Sequence, residues 1–488
     1  MIESRTRPAT EIPRPSPRGA GRRELLEFLA VLGAVAAVHF FRDPASFLLP
    51  PLSYEDGRDF FAFFYNHRQP GAILRFYAGY VSLLPNLVGY AAMALPTSWT
   101  PRALAWIPGI LTSLACALPF LTFRGWMRSP VWRAGTCFTL ALLPVANRLF
   151  LSSTAYSIWP VLLILVWGSL ARPPASTGTA LPRGAAMATL ICSHPLSIAL
   201  VPVYAFQAWR GWTERQRQPG DMPGKEAPGK TSWLRVLYPA ALIAVVGLYA
   251  VLGIEPGGVE TPAILPALGL TAMLVLERVV FATVFGDAAL LTLRAAGGVA
   301  WIYLGALAIL AAGIWVLVRY RRQTRTAGWW RLAALGWLVV AFTGLYVISR
   351  SPSVEILGTG AALRYFWVQR LLFAAALAAL AQTLWTGRME GGTEGKGRMT
   401  VRRFPVPVAL WILFLGLALL NLANGSSYRS PRRQGHQMAA FVRQVQEKEA
   451  TAGERVTATL PRRSPWSVEL RPAGEDGGED SRTPAPMP

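Results

Sequence analysis

Nine apolar runs limit what this chain can fold into, because each is close to the ~20 residues that carry an α-helix across a bilayer core. They lie at 24–41, 103–123, 131–148, 155–170, 236–254, 298–318, 331–349, 364–386 and 405–423. Two further apolar stretches, 72–96 and 185–209, are broken by proline and polar residues. Only 15% of the 488 residues are charged, and the mean hydropathy is +0.35. A soluble domain carries about 25% charged residues. Hydrocarbon offers backbone groups no water, so runs of this length must bond within themselves as helices. The pattern predicts an all-α integral membrane protein, a polytopic helical bundle of about 11 spans if 185–209 is a broken hairpin.

Loop charge orients the bundle. The segment 210–235 holds Arg210, Arg215, Arg217, Lys225, Lys230 and Arg235 against Glu214, Asp221 and Glu226. Residues 319–331 contain Arg319, Arg321, Arg322, Arg325 and Arg331 with no acid, and 387–404 is also basic. The stretches 42–80 and 350–363 are balanced. By the positive-inside rule the N-terminus and the basic loops are cytoplasmic, while 42–80, 255–297, 350–363 and the C-terminal tail face outside. The short basic loop 124–133 is then cytoplasmic, which leaves one crossing, 103–123, between it and the first outer loop, 42–102. The stretch 72–96 must lie on the outer surface or dip in and return. The stretch 185–209 must begin and end inside, bent at "SHPLS" (193–197), and such breaks tend to line cavities in membrane proteins. The chain divides into a disordered basic N-terminus (1–23), the membrane body (24–423), a small outer tail (424–475) and a disordered end (476–488). The tail reads as an amphipathic helix followed by the strand-like segments "RVTATL" and "WSVEL". It is too small for a core of its own and is expected to pack on the outer face. The apolar run after the N-terminus has no small-residue cleavage site, so it reads as an uncleaved first span in a bacterial cell membrane.

Several functions fall away. The net charge of +22 comes from loop arginines and lysines without a nucleic-acid-binding module. Cys116, Cys137 and Cys192 lie inside apolar segments, and His39, His67, His194 and His436 have no metal-ligand spacing. Neither a disulfide framework nor a zinc site is expected.

The residues with chemical potential gather at outer positions. In "SYEDGRDFF" (53–61), Glu55 and Asp56 precede Gly57, which permits a turn that aims both carboxylates at one place. They suit a general base or ligands for a divalent cation such as Mg or Mn; the plain alternative is a helix cap by Ser53 or Asp56. The following "RDFFAFFYNH" has the look of an interfacial helix. Arg75, Tyr77 and Tyr80 suit a phosphate or a sugar, or else an aromatic belt. Asn147 offers a cavity-lining amide or part of a connecting turn. His194 is either a functional group at depth or a partner for backbone freed by Pro195. Arg364 and Tyr365 open a late span. Arg364 suits a phosphate or snorkels as an anchor.

Taken in order, "YEDG", "YAGYVSLLPNLVG", "SHP", "RYF" and "SPWSVEL" resemble a group of bacterial membrane proteins with a GT-C-type glycosyltransferase architecture, more distantly similar to protein O-mannosyltransferases, aminoarabinose transferases and oligosaccharyltransferase catalytic subunits. The resemblance implies a polyprenyl-phosphate-linked sugar as donor and an envelope glycan, lipid or protein as acceptor. It implies Glu55 and Asp56 as the acidic motif, with or without a metal. Arg364 and, more loosely, Arg75 would be the phosphate partners, with Tyr77 and His194 nearby. The WWD-type acceptor motif and a large outer domain are missing, and the acidic pair runs Glu-Asp rather than Asp-Glu. A transporter or flippase for a lipid-linked precursor, which would spread ionisable residues through several spans, and a non-catalytic assembly factor are the rival readings.

Overall fold

The computed structural model describes residues 17–50, 55–127, 129–143, 149–174, 176–216, 231–255, 264–319, 329–349 and 365–390, and in the tail 416, 440, 443–444, 447, 456–459 and 467–470. Six helical stretches are long and apolar enough to cross a membrane: Arg22–Arg42, Thr100–Gly125, Trp233–Leu252, Leu265–Ala295, Val299–Arg319 and Trp329–Ser349. Leu83–Ala92, Ala155–Leu170 and Trp367–Gln382 are shorter apolar helices. The sheets among the described residues are two antiparallel hairpins, Phe76–Tyr77 with Tyr80–Val81 and Val456–Thr459 with Ser467–Leu470. The expected span 405–423 lies almost wholly outside the described residues.

The bundle has two chemically distinct ends. At the basic end Glu24 pairs with Arg124, and Arg133 approaches it at 3.6 Å. There Arg331 Nε donates to the Leu170 carbonyl at 3.0 Å. The opposite end gathers the segment from Glu55 to Val81, the turn at Ser193 and the end of helix Thr231–Leu252. Leu84 N–H donates to Ser193 Oγ at 2.8 Å, and Val81 N–H donates to the Gly253 carbonyl at 2.8 Å. The tail strand Ser467–Leu470 lies against the segment Asp56–Ala62, at this same end.

Helix breaks are answered by side chains. Pro108, inside Thr100–Ala117, cannot donate to the Leu104 carbonyl. Thr154 Oγ1 donates to that oxygen instead, at 2.8 Å. Helix Pro130–Leu142 ends before the expected 148, where Leu143 turns extended; Arg42 Nη1 satisfies its terminal carbonyls at Ala141 and Leu143, at 2.6 and 3.1 Å.

Three segments refine the sequence reading. The stretch 72–96 folds as a turn, a hairpin and the ten-residue helix Leu83–Ala92, about 15 Å long and too short to cross. Helices Thr177–Ile191 and Val201–Gln216 form the expected bent hairpin around Pro195–Leu200. The stretch 255–297, read as an outer loop, instead holds an apolar helical element, Ile264–Ala295. Its length suits a span, yet it folds back at Gly286, where φ is 85° and ψ 163°. Arg294 reaches Glu277 across that fold at 2.8 Å. Phe281 packs on Gly305, two turns into Val299–Arg319, so the element dips into the bundle and returns.

The backbone angles of Gly286 are open only to glycine. Gly286→Ala is expected to destabilise the protein by about 1–3 kcal/mol, whereas Gly247→Ala, with open space around its Cβ position, should be neutral. Thr154→Val should cost about 1–3 kcal/mol by stranding the Leu104 carbonyl. Thermal unfolding in detergent, followed by tryptophan fluorescence, reads all three.

Candidate functional site

The segment that follows the first long helix is built around a wide helical turn, Asp56–Ala62, continued by the short helix Phe63–Asn66. Such widened turns are rare and recur at functional sites. Phe60, Phe61 and Phe64 are fully buried, so this helix packs into the protein through three of its aromatic rings. That burial separates the two adjacent acids. Asp56 is 1% exposed, and its Oδ1 accepts the Ala155 N–H at 2.9 Å. Glu55 is half-buried, just ahead of the turn.

A second structure brings Tyr77 to these acids. Ala78 and Gly79 both have positive φ, 56° and 84°, the arrangement of a tight hairpin turn. Gly79 accepts the Glu255 N–H at 2.9 Å and Tyr249 Oη donates to the Val81 carbonyl at 2.9 Å, which docks the hairpin on the end of helix Thr231–Leu252. Burial, then the charges of Glu55 and Asp59, push the Tyr77 phenol well above its usual range. Tyr77 is therefore a protonated hydroxyl facing carboxylates. Tyr80 pairs with it across the hairpin.

Arg75 stands beside this group. Its guanidinium lies 3.9 Å from the centre of the Phe63 ring and donates to the Asp59 carbonyl. Asn86 Nδ2 holds the Arg75 carbonyl at 3.1 Å. Burial lowers the Arg75 pKa to about 10, still far above neutrality, so a cation stays in place. Asp59 is held by Arg58 through two bonds of 2.9 and 3.0 Å.

His194 and Tyr365 belong to a neighbouring aromatic cluster. The Trp159 ring lies 5.2 Å from His194, 5.5 Å from Tyr346 and 6.0 Å from Tyr365, and Tyr80 is 6.1 Å from His194. His194 Nδ1 accepts the Leu196 N–H at 3.1 Å, so the imidazole does bond to backbone beside Pro195. Glu55, Asp56, Arg75, Tyr77, Tyr80, His194 and Tyr365 thus share one end of the bundle. Arg364 and Asn147 lie outside the described residues.

Among the described residues no three His, Cys, Asp or Glu side chains converge as metal ligands. Asp56 Oδ1 is taken by the Ala155 N–H.

Sequence reasoning missed a buried ionic group in the folded-back element. Arg370 donates to both Asp287 oxygens, at 2.6 and 2.7 Å, and through Nε to the Arg278 carbonyl at 2.7 Å. Glu277 contacts Arg278 at 3.5 Å besides its bond to Arg294. Glu277 and Arg278 sit in a second widened turn, Val275–Phe281. The signal was in the sequence: "LERVV" interrupts an apolar run, and "VQR" carries a cation into a span.

Comparison with protein-family models, with curated proteins and with solved structures finds no match. The fold defines the class: an all-α, multi-pass membrane protein with polar chemistry concentrated at one end.

Asp56→Ala removes the acceptor for the Ala155 N–H and should destabilise the protein by about 1–3 kcal/mol. Asp56→Asn keeps an oxygen there and should cost less, and Glu55→Gln should leave the melting temperature near wild type. For the ion pair, Arg370→Met should cost about 1–3 kcal/mol by leaving the partly buried Asp287 without its cation, and Arg370→Met with Asp287→Leu should recover most of that loss. Melting of the five variants in one detergent checks both statements.

Proposed function

We propose that this protein is a membrane glycosyltransferase of GT-C-like architecture. It would move a sugar from a polyprenyl-phosphate donor to an envelope glycan, lipid or protein. In this reading about 11 spans cross the bacterial cell membrane, the basic end is cytoplasmic, and the Glu55 end and the C-terminus are extracytoplasmic. The observation that carries it is the meeting of Glu55, Tyr77 and the aromatic-bound Arg75 cation at one end of an apolar bundle.

The acceptor hydroxyl attacks the anomeric carbon, the bond from that carbon to the phosphate oxygen breaks, and polyprenyl phosphate departs with the electron pair. Glu55 takes the acceptor's proton. Asp56, committed to the Ala155 N–H, positions the turn that presents Glu55. Negative charge grows on the leaving phosphate, where a preorganised arginine lowers the barrier. Arg75 is the described candidate for that role, and Arg364 is the one the family resemblance implies.

A transporter or flippase for a lipid-linked precursor is the second reading. The buried Glu277, Arg278 and Arg370, paired with the partly exposed Arg294 and Asp287, favour it, since ionisable residues inside a membrane body often mark a transport path.

Deletion of the gene followed by mass spectrometry of envelope glycans separates the two. Wild type and Asp56→Asn should restore a missing sugar, with reduced yield for the latter, and Glu55→Gln should abolish restoration at equal membrane abundance. Sugar transfer by the purified protein in vesicles, from donor and acceptor supplied on the same face, should follow the same order. Full restoration by Glu55→Gln, or no transfer on either face, would sink the transferase reading.

A further inference from the structure

The aromatic cluster beside the acids contains polar groups that the fold leaves without partners. Gln369 is 0% exposed, and neither its Oε1 nor its Nε2 has a hydrogen-bond partner among the described residues. His194 is 3% exposed, and its Nε2 is in the same position. So is Ser197 Oγ. A buried amide normally finds partners, and one with both ends open is rare.

Local structure brings these groups to the same rings. Gln369 lies in the first turn of helix Trp367–Glu390, four residues after Tyr365, which sits in the tight turn that leads into that helix. His194 caps the tight helix Pro195–Leu200 from its extended N-terminal position, and Ser197 lies in the first turn of that helix. That tight helix packs against both Ile158–Leu170 and Trp329–Ser349, the elements that supply Trp159 and Tyr346. Trp159 touches His194 on one side and Tyr365 on the other. The Nδ1 of His194 is occupied by the Leu196 N–H, which leaves the ring's proton on Nε2. His194 therefore offers a donor, Gln369 a donor and an acceptor, and Ser197 either.

We propose that the cluster of Trp159, Tyr346, Tyr365, His194, Ser197 and Gln369 is a subsite for the uncharged, hydroxylated ring of the transferred sugar. Aromatic faces cover the C–H face of such a ring, and the amide, the hydroxyl and the imidazole N–H take its hydroxyls. None of the six carries a charge, so the subsite selects a neutral sugar over one bearing a carboxylate. The partnerless atoms are sealed from solvent, where each hydrogen bond to the ligand counts for more than in water. The hairpin Phe76–Val81, which covers His194 through Tyr80, is the element that must move aside for the ring to enter. This inference rests on the transferase reading.

The test is equilibrium binding to the full-length protein in nanodiscs, with three radiolabelled probes: a polyprenyl phosphate, the same lipid carrying a neutral hexose, and the same lipid carrying a hexuronic acid. Wild type should bind the hexose lipid on the order of tenfold tighter than the bare lipid phosphate, and the uronic acid lipid no tighter than the bare one. Gln369→Leu and His194→Phe should erase that preference while leaving affinity for the bare lipid unchanged. Gln369→Glu, nearly isosteric, guards against a folding defect and should lose the preference as well. Equal binding of all three probes by wild type, or a preference that survives in Gln369→Leu and Gln369→Glu, would overturn the subsite alone. Failure of wild type to bind any of the three would overturn the transferase reading with it.

Discussion

Backbone hydrogen bonding in apolar surroundings is the constraint from which the rest of this structure follows. A helix inside hydrocarbon satisfies itself, and every break exposes carbonyls or N–H groups that water cannot reach. The fold answers each break with a polar side chain drawn from a distant segment. Thr154 caps the carbonyl opposite Pro108, Arg42 takes the end of helix Pro130–Leu142, and Asp56 receives the Ala155 N–H. These bonds knit the segment that follows the first long helix to the bundle. The last of them fixes the turn that carries the acids.

The same constraint separates the acids by role. Asp56 is consumed by the fold, whereas Glu55, one residue earlier, stays half-exposed beside Tyr77. Arg75 is held over aromatic faces with its charge intact. An arrangement of this kind has a rigid cation, a protonated phenol and an accessible carboxylate at the edge of an apolar body. It meets the needs of a group transfer from a lipid phosphate, since the tail stays in the membrane while the charged centre is handled at its surface.

The folded-back element Ile264–Ala295 shows the other use of buried charge. Arginines and acids within it neutralise one another through close bonds, and Arg370 also ties the element to the helix that follows Tyr365. Desolvating these ions is costly, and pairing offsets the cost only with good geometry. The two bonds from Arg370 to Asp287 supply that geometry. The network fixes how the element sits against the bundle wall that carries the aromatic cluster.

Apolar run length determined, from sequence alone, that this is a helical membrane protein. The proline-broken stretches 72–96 and 185–209 were legible as something other than plain spans, because proline denies a helix its donor. The strands Val456–Thr459 and Ser467–Leu470 were legible in "RVTATL" and "WSVEL". The acids at 55 and 56, Arg75, Tyr77 and His194 stood out as polar groups set beside apolar runs. Which acid is buried was not legible, since adjacent residues on a helical turn point about 100° apart and only the neighbour at Ala155 decides which one turns inward. The return at Gly286 and the pairing of Asp287 with Arg370 were equally hidden. Both depend on contacts between residues 17 and 83 positions apart, and local composition carries no record of such contacts. Sequence determined what the chain dissolves in; tertiary packing decided which of its few charges remain available for chemistry.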